Sequence, residues 1–260
     1  MTKTSTDTQT GLTTQQILEL LTKGEMEVEG LLPWSSNYTF LVNIMGEIGA
    51  SSPTADIAQL KAVYKPRLGE APLWDFPEGT LCLREVAAYQ VNSALGWDLI
   101  PPTVLRVGPH GTGSVQLYID NDEDLHFFTF RDDPANTDQL MRLALFDLIT
   151  NNADRKSGHC LLDKHGHVWA IDHGITFNTD HKLRTVIWDF AGQPIQPEHL
   201  SDLQRLRDGI GAKQLLGRVL RDLLEENEVA ALKRRIQAIL DMKVYPGPNR
   251  TQRNIPWPPV

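Results

Sequence analysis

The sequence predicts an α+β chain in which a small β-rich lobe with one inserted helix precedes a larger α-rich lobe. Three observations carry this prediction. Up to about residue 120, apolar residues recur mainly at every second position, in short runs separated by Gly, Pro, Ser and Asn. Beyond a leading helix near Thr13–Gly24, only Leu81–Leu95 in that stretch has the apolar spacing of a helix. From Thr137 onward helical spacing takes over, interrupted by one hairpin pattern.

The elements follow in order. Met1–Thr10 is polar and Thr-rich, lacks the apolar centre of a secretory leader, and is expected to be a disordered lead-in over residues 1–10. Thr13-x-x-Gln16 is a capping-box pattern; Ile17, Leu18, Leu20 and Leu21 form an apolar stripe, and Gly24 stops the helix. Met26 and Val28, then Tyr38–Ile44, predict two strands joined by a turn at Pro33-Trp34-Ser35-Ser36-Asn37. A Gly/Ser/Pro loop is expected over Gly46–Asp56, then a short strand Leu60–Lys65 ended by Pro66. The helix Leu81–Leu95 is capped by Gly96, and a strand pair, Val104–Val107 and Ser114–Ile119, flanks the turn Pro109–Gly113. This first lobe covers residues 11–120, with a connector near Asp120–Pro134.

The second lobe is assigned to residues 121–244. Its heavily apolar helix runs from Thr137 through Leu140, Leu143, Phe146 and Ile149. A hairpin follows, with strands His159–Asp163 and Val168–Asp172. Three helices come next, near 198–207, 212–225 and 228–242, the last with Asn227 as its expected N-cap. Residues 245–260 are dense in Pro and are expected to be an extended tail. There are no internal repeats.

Composition narrows the function classes. A formal net charge of −8 offers no general attraction to nucleic acid and disfavours docking on an anionic membrane. No apolar run reaches the ~20 residues that span a bilayer, so the expected location is the cytoplasm. Cys82 and Cys160 lie far apart in unrelated contexts, which points away from a disulfide. A zinc site from His159, Cys160, His165, His167 and His173 is disfavoured, because the turn exposes two of these histidines and strand alternation separates His159 from Cys160.

Four segments carry chemistry, and their order is the signal: Val63-Tyr64-Lys65-Pro66, Arg84-Glu85-Val86-Ala87-Ala88-Tyr89 on the following helix, Asn151-Asn152-Ala153-Asp154-Arg155-Lys156-Ser157-Gly158-His159 after the core helix, and Ala170-Ile171-Asp172-His173-Gly174 at the end of the hairpin. Phosphoryl transfer needs positive charge around the triphosphate and an aligned acceptor rather than covalent help. Lys65 is the candidate for holding phosphates, Glu85 for orienting Lys65, Asp154 for accepting the acceptor proton, Lys156 for stabilising charge, and Asp172 for holding Mg²⁺. Singly, Lys65 and Glu85 read as ordinary solvated charges and Asp172 as a turn residue. A polar loop ending a helix does not call for Asp-Arg-Lys, and the four segments in sequence point to an ATP-dependent phosphotransferase.

At these motifs the chain resembles the phosphatidylinositol 3-/4-kinase-like superfamily. Tyr64-Lys65-Pro66 is similar to its nucleotide-lysine motif. Asn152-x-Asp154-Arg155 resembles the catalytic loop shared by type II phosphatidylinositol 4-kinases and HipA-type protein kinases, and Ile171-Asp172-x-Gly174 resembles their metal-binding segment. The resemblance runs from about Gly30 to Phe177. It implies a two-lobed protein-kinase-like fold, with ATP and Mg²⁺ (or Mn²⁺) as cofactors and a protein or small-molecule hydroxyl as acceptor. It also implies phosphate contacts from Ser35, Ser36 and Asn37, and adenine contacts from Gln116, Leu117 and Tyr118, in a segment similar to the one leading into the hinge between lobes. The family has Asn five residues after the catalytic Asp; His159 stands there and is the candidate auxiliary metal ligand. That departure leaves a nucleotide-binding pseudokinase as an alternative, alongside AMP transfer. A lipid acceptor ranks lower, since the loop after Asp172 supplies only Lys182 and Arg184 as basic residues.

Overall fold

The computed structural model describes residues 10–32, 37–48, 56–249 and 251–260. The expected lead-in over residues 1–9 and the turn residues Pro33–Ser36 lie outside these. The fold is α+β and kinase-like, with a β-sheet lobe and a helical lobe. Backbone proximity divides the chain into two compact units, residues 1–86 with 101–120, and residues 87–100 with 121–260.

The first unit is built on a five-stranded antiparallel sheet of order β1-β2-β3-β5-β4. Its strands are β1 (Glu25–Leu31), β2 (Phe40–Ile48), β3 (Asp56–Pro66), β4 (Thr103–Gly108) and β5 (Gly111–Leu117). Helix α1 (Thr14–Lys23) buries Ile17, Leu20 and Leu21, and Thr13 and Gln16 form the expected capping box. Gly24 is the C-cap of the helix, and the packing there admits no side chain: a Cβ would lie 2.5 Å from Ile44 Cγ2 and 2.8 Å from the Leu20 carbonyl.

Two expectations need correction here. The strand expected at Leu60–Lys65 extends over the eleven residues Asp56–Pro66 and pairs with β2 along Ile48–Phe40, so the loop after Gly46 is shorter than its Gly/Ser/Pro content suggests. Cross-strand pairing outweighs local composition there. The β4–β5 turn is also tighter, with Gly108 opposite Gly111 and only Pro109-His110 between them. Gly111, at φ +92°, supplies backbone geometry that side chains resist.

Helix α2 (Leu81–Leu95) begins in the first unit and continues into the second. Its N-terminus is capped from a distance: the Glu70 carboxylate accepts the Leu81 and Cys82 N–H groups at 3.1 and 2.8 Å. This satisfies orphan donors and places negative charge at the positive end of the helix. Gly96, at φ +71°, caps its other end.

The second unit adds α3 (Phe127–Phe130), α4 (Thr137–Thr150), a two-stranded sheet of β6 (Cys160–Leu162) and β7 (Val168–Ala170), then α5 (Pro197–Gly209), α6 (Leu215–Leu223) and α7 (Glu226–Met242). The short α3 lies in the stretch read as a connector. The β6–β7 hairpin is shorter than expected, so His159 falls in a 3₁₀ turn at Ser157–His159 and Asp172 lies beyond the strand end. Asn227 is not the cap of α7. Glu225 takes that place and forms a capping box with Glu228, which the Ser/Thr/Asn preference for caps hides. No helix among the described residues is long and apolar enough to cross a membrane.

Candidate active site

The candidate residues fall into one group in each unit. In the sheet unit, β3 alternates, burying Leu60, Ala62 and Tyr64 and turning Lys61, Val63 and Lys65 to the other face. Lys65 sits opposite Ser114 in the β3–β5 ladder. Its Nζ lies 2.5 Å from Glu85 Oε1, and the two side chains are 21% and 4% exposed. A pair with one member so buried is a held pair, unlike the solvated charges each residue suggests alone. Arg84, its neighbour on α2, is also buried, with its guanidinium 4.9 Å from the centre of the Phe76 ring.

The other candidates in this unit are placed less suggestively. Ser35 and Ser36 lie outside the described residues. Asn37 Oδ1 accepts the Ala71 N–H at 2.7 Å. Gln116 is buried and donates its side-chain amide to Thr103 Oγ1 at 2.8 Å. The Leu117 and Tyr118 N–H groups donate to the Pro102 and Lys61 carbonyls at 2.9 and 3.0 Å. Those donors are spent on the fold, so any adenine contact through backbone N–H falls beyond Tyr118.

In the helical unit, the segment after α4 is held by a buried polar network. Asn151, at φ +56°, ends α4 in the left-handed region, and its side-chain amide donates to the Asn178 and Asp180 carbonyls. Asp147 on α4 and Arg155 are both fully buried and lie 3.1 Å apart. Asp147 also accepts from Asn152 Nδ2 and Thr185 Oγ1, each at 3.0 Å. Arg155 in turn donates to the Ile171 carbonyl at 2.8 Å, and its Nη2 is 2.7 Å from His173 Nε2. Arginine has no acceptor, so His173 accepts at Nε2 and carries its hydrogen on Nδ1. The network ties the segment carrying Asp154 to the segment carrying Asp172.

Asp154 is fixed by an N–H bond to Asn152 Oδ1 at 2.9 Å, and Lys156 Nζ lies 3.5 Å from its Oδ2. Burial raises the Asp154 carboxyl above its ordinary 3.8; Lys156 opposes the rise and the charge of Asp172 adds to it. His159 touches both acids. Its Nδ1 is 2.9 Å from the Asp154 carbonyl and its Nε2 is 3.4 Å from Asp172 Oδ2. A carbonyl accepts only, so Nδ1 carries a hydrogen, and in the neutral ring Nε2 presents its lone pair toward a carboxylate oxygen. Asp172 occupies the left-handed region at φ +61°, which Asp tolerates but at an energetic cost. The two thiols take no part: both are buried, and burial pushes each up to about 12.

Asp147 and Thr185 were not candidates on sequence, and His173 was weighed only for the disfavoured zinc site. Asp147 had a readable signal, being an acid within the apolar run Leu140–Ile149. Thr185 carried none, and nothing local tied His173 to Arg155, a contact that only the fold makes.

No family model matches the chain. A Mycobacterium tuberculosis protein, Rv2133c, is 38% identical over 275 residues, covering 92% of this chain and 94% of the relative. Phosphatidylinositol 4-kinase gamma 4 of rice is 29% identical over 142 residues, covering 46% of this chain and 25% of that protein. Among solved structures, hydra Fam20 with sugar matches at TM-score 0.53 and 14% identity over 87% of both chains. The Helicobacter pylori proinflammatory kinase CtkA matches at TM-score 0.51 and 11% identity, over 86% of this chain and 94% of that one.

Proposed function

We propose that this chain, which belongs to the family of the mycobacterial protein Rv2133c, is an ATP-dependent phosphotransferase that moves the γ-phosphoryl group to a hydroxyl of a protein or small molecule. The observation that carries this reading is His159 joining two acids, Asp154 at its backbone and Asp172 at its side chain, with the Asp154 carboxyl raised toward a proton acceptor's range. The Lys65–Glu85 pair supports it from the sheet unit, and the kinase-like fold and the rice lipid-kinase match agree with it.

In this reading Lys65, oriented by Glu85, neutralises the α- and β-phosphates. Asp154 receives the acceptor's hydroxyl proton as that oxygen bonds to the γ-phosphorus and the bond to the bridging oxygen breaks, releasing ADP. Lys156 offsets charge on the transferring group. Asp172 Oδ2 and His159 Nε2, 3.4 Å apart, would supply two protein ligands to a divalent cation, with phosphate oxygens and water supplying the rest, since no third His, Cys, Asp or Glu joins them among the described residues. Such a cation, when bound, neutralises phosphate charge, and an imidazole donor favours Mn²⁺ over Mg²⁺.

The test is ATP turnover with Mg²⁺ and with Mn²⁺, for the wild type and for Asp154→Ala and Asp172→Ala. Turnover abolished in both variants supports the assignment, and mass analysis of the product separates phosphate from AMP transfer. His159 in place of Asn favours a second reading, a nucleotide-binding pseudokinase, which ATP binding without turnover across an acceptor screen would support. Absence of ATP binding with either metal defeats both.

A further inference from the structure

The segment after α7 returns to the candidate active site. Tyr245 is buried and its hydroxyl donates to the Met141 carbonyl at 3.2 Å. Further on, the Asn254 side chain closes a small loop, accepting the Asn249 N–H at 2.9 Å and donating to the Asn249 and Gln252 carbonyls. With its side chain so engaged, Asn254 offers its own carbonyl to two donors, the Thr185 N–H at 3.0 Å and the Trp188 indole N–H at 3.2 Å. The Pro259 carbonyl then accepts the Ser157 N–H at 2.8 Å.

Both donor segments belong to the site. Ser157 directly follows Lys156. Thr185 lies in a segment whose backbone brackets the catalytic one: the Arg184 N–H donates to the Asn152 carbonyl, the Arg155 N–H to the Arg184 carbonyl, and the Val186 N–H to the Arg155 carbonyl, at 2.8, 2.9 and 3.1 Å. The Thr185 hydroxyl also reaches Asp147. The tail thus holds the catalytic segment twice, directly at Ser157 and through the segment bridged to it at Thr185.

We infer that the tail, Asn249 with residues 251–259, is a positioning strap that sets the placement of Asp154 and Lys156. Its composition suits the task. Proline lacks an N–H, so Pro256, Pro258 and Pro259 present carbonyls without leaving donors to satisfy, and they lose little chain freedom on ordering. Apart from Pro256, apolar burial contributes little: Ile255 and Trp257 are 50% and 78% exposed. Hydrogen bonds therefore hold the strap. Its catalytic role rests on the proposed phosphotransfer, whereas its grip on the segment does not.

The test is amide hydrogen exchange together with ATP turnover, on full-length Asn254→Ala and Pro259→Gly, with Gln252→Ala as control. Asn254→Ala releases the carbonyl facing Thr185, and Pro259→Gly loosens the one facing Ser157. Exchange is expected to quicken at least about threefold, the factor one ordinary hydrogen bond supplies, at Thr185 in the first variant and at Ser157 in the second. The Arg155 and Arg184 amides, bonded within the bracket, keep their protection, and the control changes nothing. Both strap variants are also expected to lower kcat several-fold at unchanged KM for ATP. Unchanged exchange at Thr185 and Ser157, a uniform rise across the helical unit, or shifted exchange without loss of kcat in an active enzyme each overturns the strap. If exchange behaves as expected and the wild type never turns over ATP, the grip stands and the phosphotransfer reading falls.

Discussion

A carboxylate that must take a proton works best where its charge is ill-accommodated, and Asp154 is so placed by burial and by Asp172 nearby. A raised native value means that the folded state binds the proton more tightly than the unfolded chain does. Stability attributable to Asp154 is therefore greatest below pH 3.8 and is lost as pH rises through the raised value. Asp154→Asn is accordingly expected to abolish turnover yet to raise the melting temperature at pH 7, with the gain vanishing in acid; thermal melts at two pH values check this. Lys65→Met removes the partner of a nearly buried Glu85. It is expected to cost about 2 kcal/mol and to weaken ATP binding, as denaturant melts and calorimetry would show. His159→Asn exchanges an imidazole for an oxygen donor beside Asp172, and the ratio of Mg²⁺- to Mn²⁺-supported turnover is expected to rise. The ordered candidates Lys65, Glu85, Asp154 and Asp172 were legible because each lies next to a recognisable apolar element. Arg84 was not: it reads as a surface charge and is buried against Phe76.

At the scale of elements, the longer helices were readable, whereas the short α3, the cap of α7 and the strand ends were not. The capping box of α1 and the apolar runs of α2 and α4 are local signals, satisfied within a few residues. The extent of β3 and the shortness of β6 and β7 depend on partner strands remote in sequence. The β6–β7 turn has its own lock. Asp163 accepts the His165 and His167 N–H groups at 2.8 and 2.9 Å and the Trp169 indole N–H at 3.0 Å. Partial burial pushes its carboxyl up, but these donors outweigh burial and hold it below its ordinary 3.8. The native state thus releases this proton more readily than the unfolded chain, so the stabilisation is present above pH 3.8 and is lost as pH falls through the depressed value. Asp163→Ala is expected to destabilise by about 2 kcal/mol at neutral pH and by little in strong acid, measurable by urea denaturation at each pH. Asp147→Ala strands the buried Arg155 charge and is expected to cost about 3 kcal/mol or more, enough to threaten folding, whereas Thr13→Ala at the α1 cap should cost about 1 kcal/mol.

For the whole molecule, the net charge of −8 sets what the chain approaches. Without a general attraction to anionic surfaces, it is expected not to co-sediment with phosphatidylserine-containing vesicles at physiological ionic strength; binding that persists there would reopen a lipid acceptor. The sequence by itself determined the fold class and displayed the four charged motifs, because periodicity, caps and motif spacing are written within short stretches of chain. Only the tertiary structure decided that Arg155 is a buried brace rather than an exposed charge, that His159 lies between Asp154 and Asp172, and that the Pro-rich tail ends against Ser157. The tail contact joins segments remote in sequence, and even the nearer pairs depend on how the chain turns after α4, so a residue's meaning is set by a partner that no local pattern specifies.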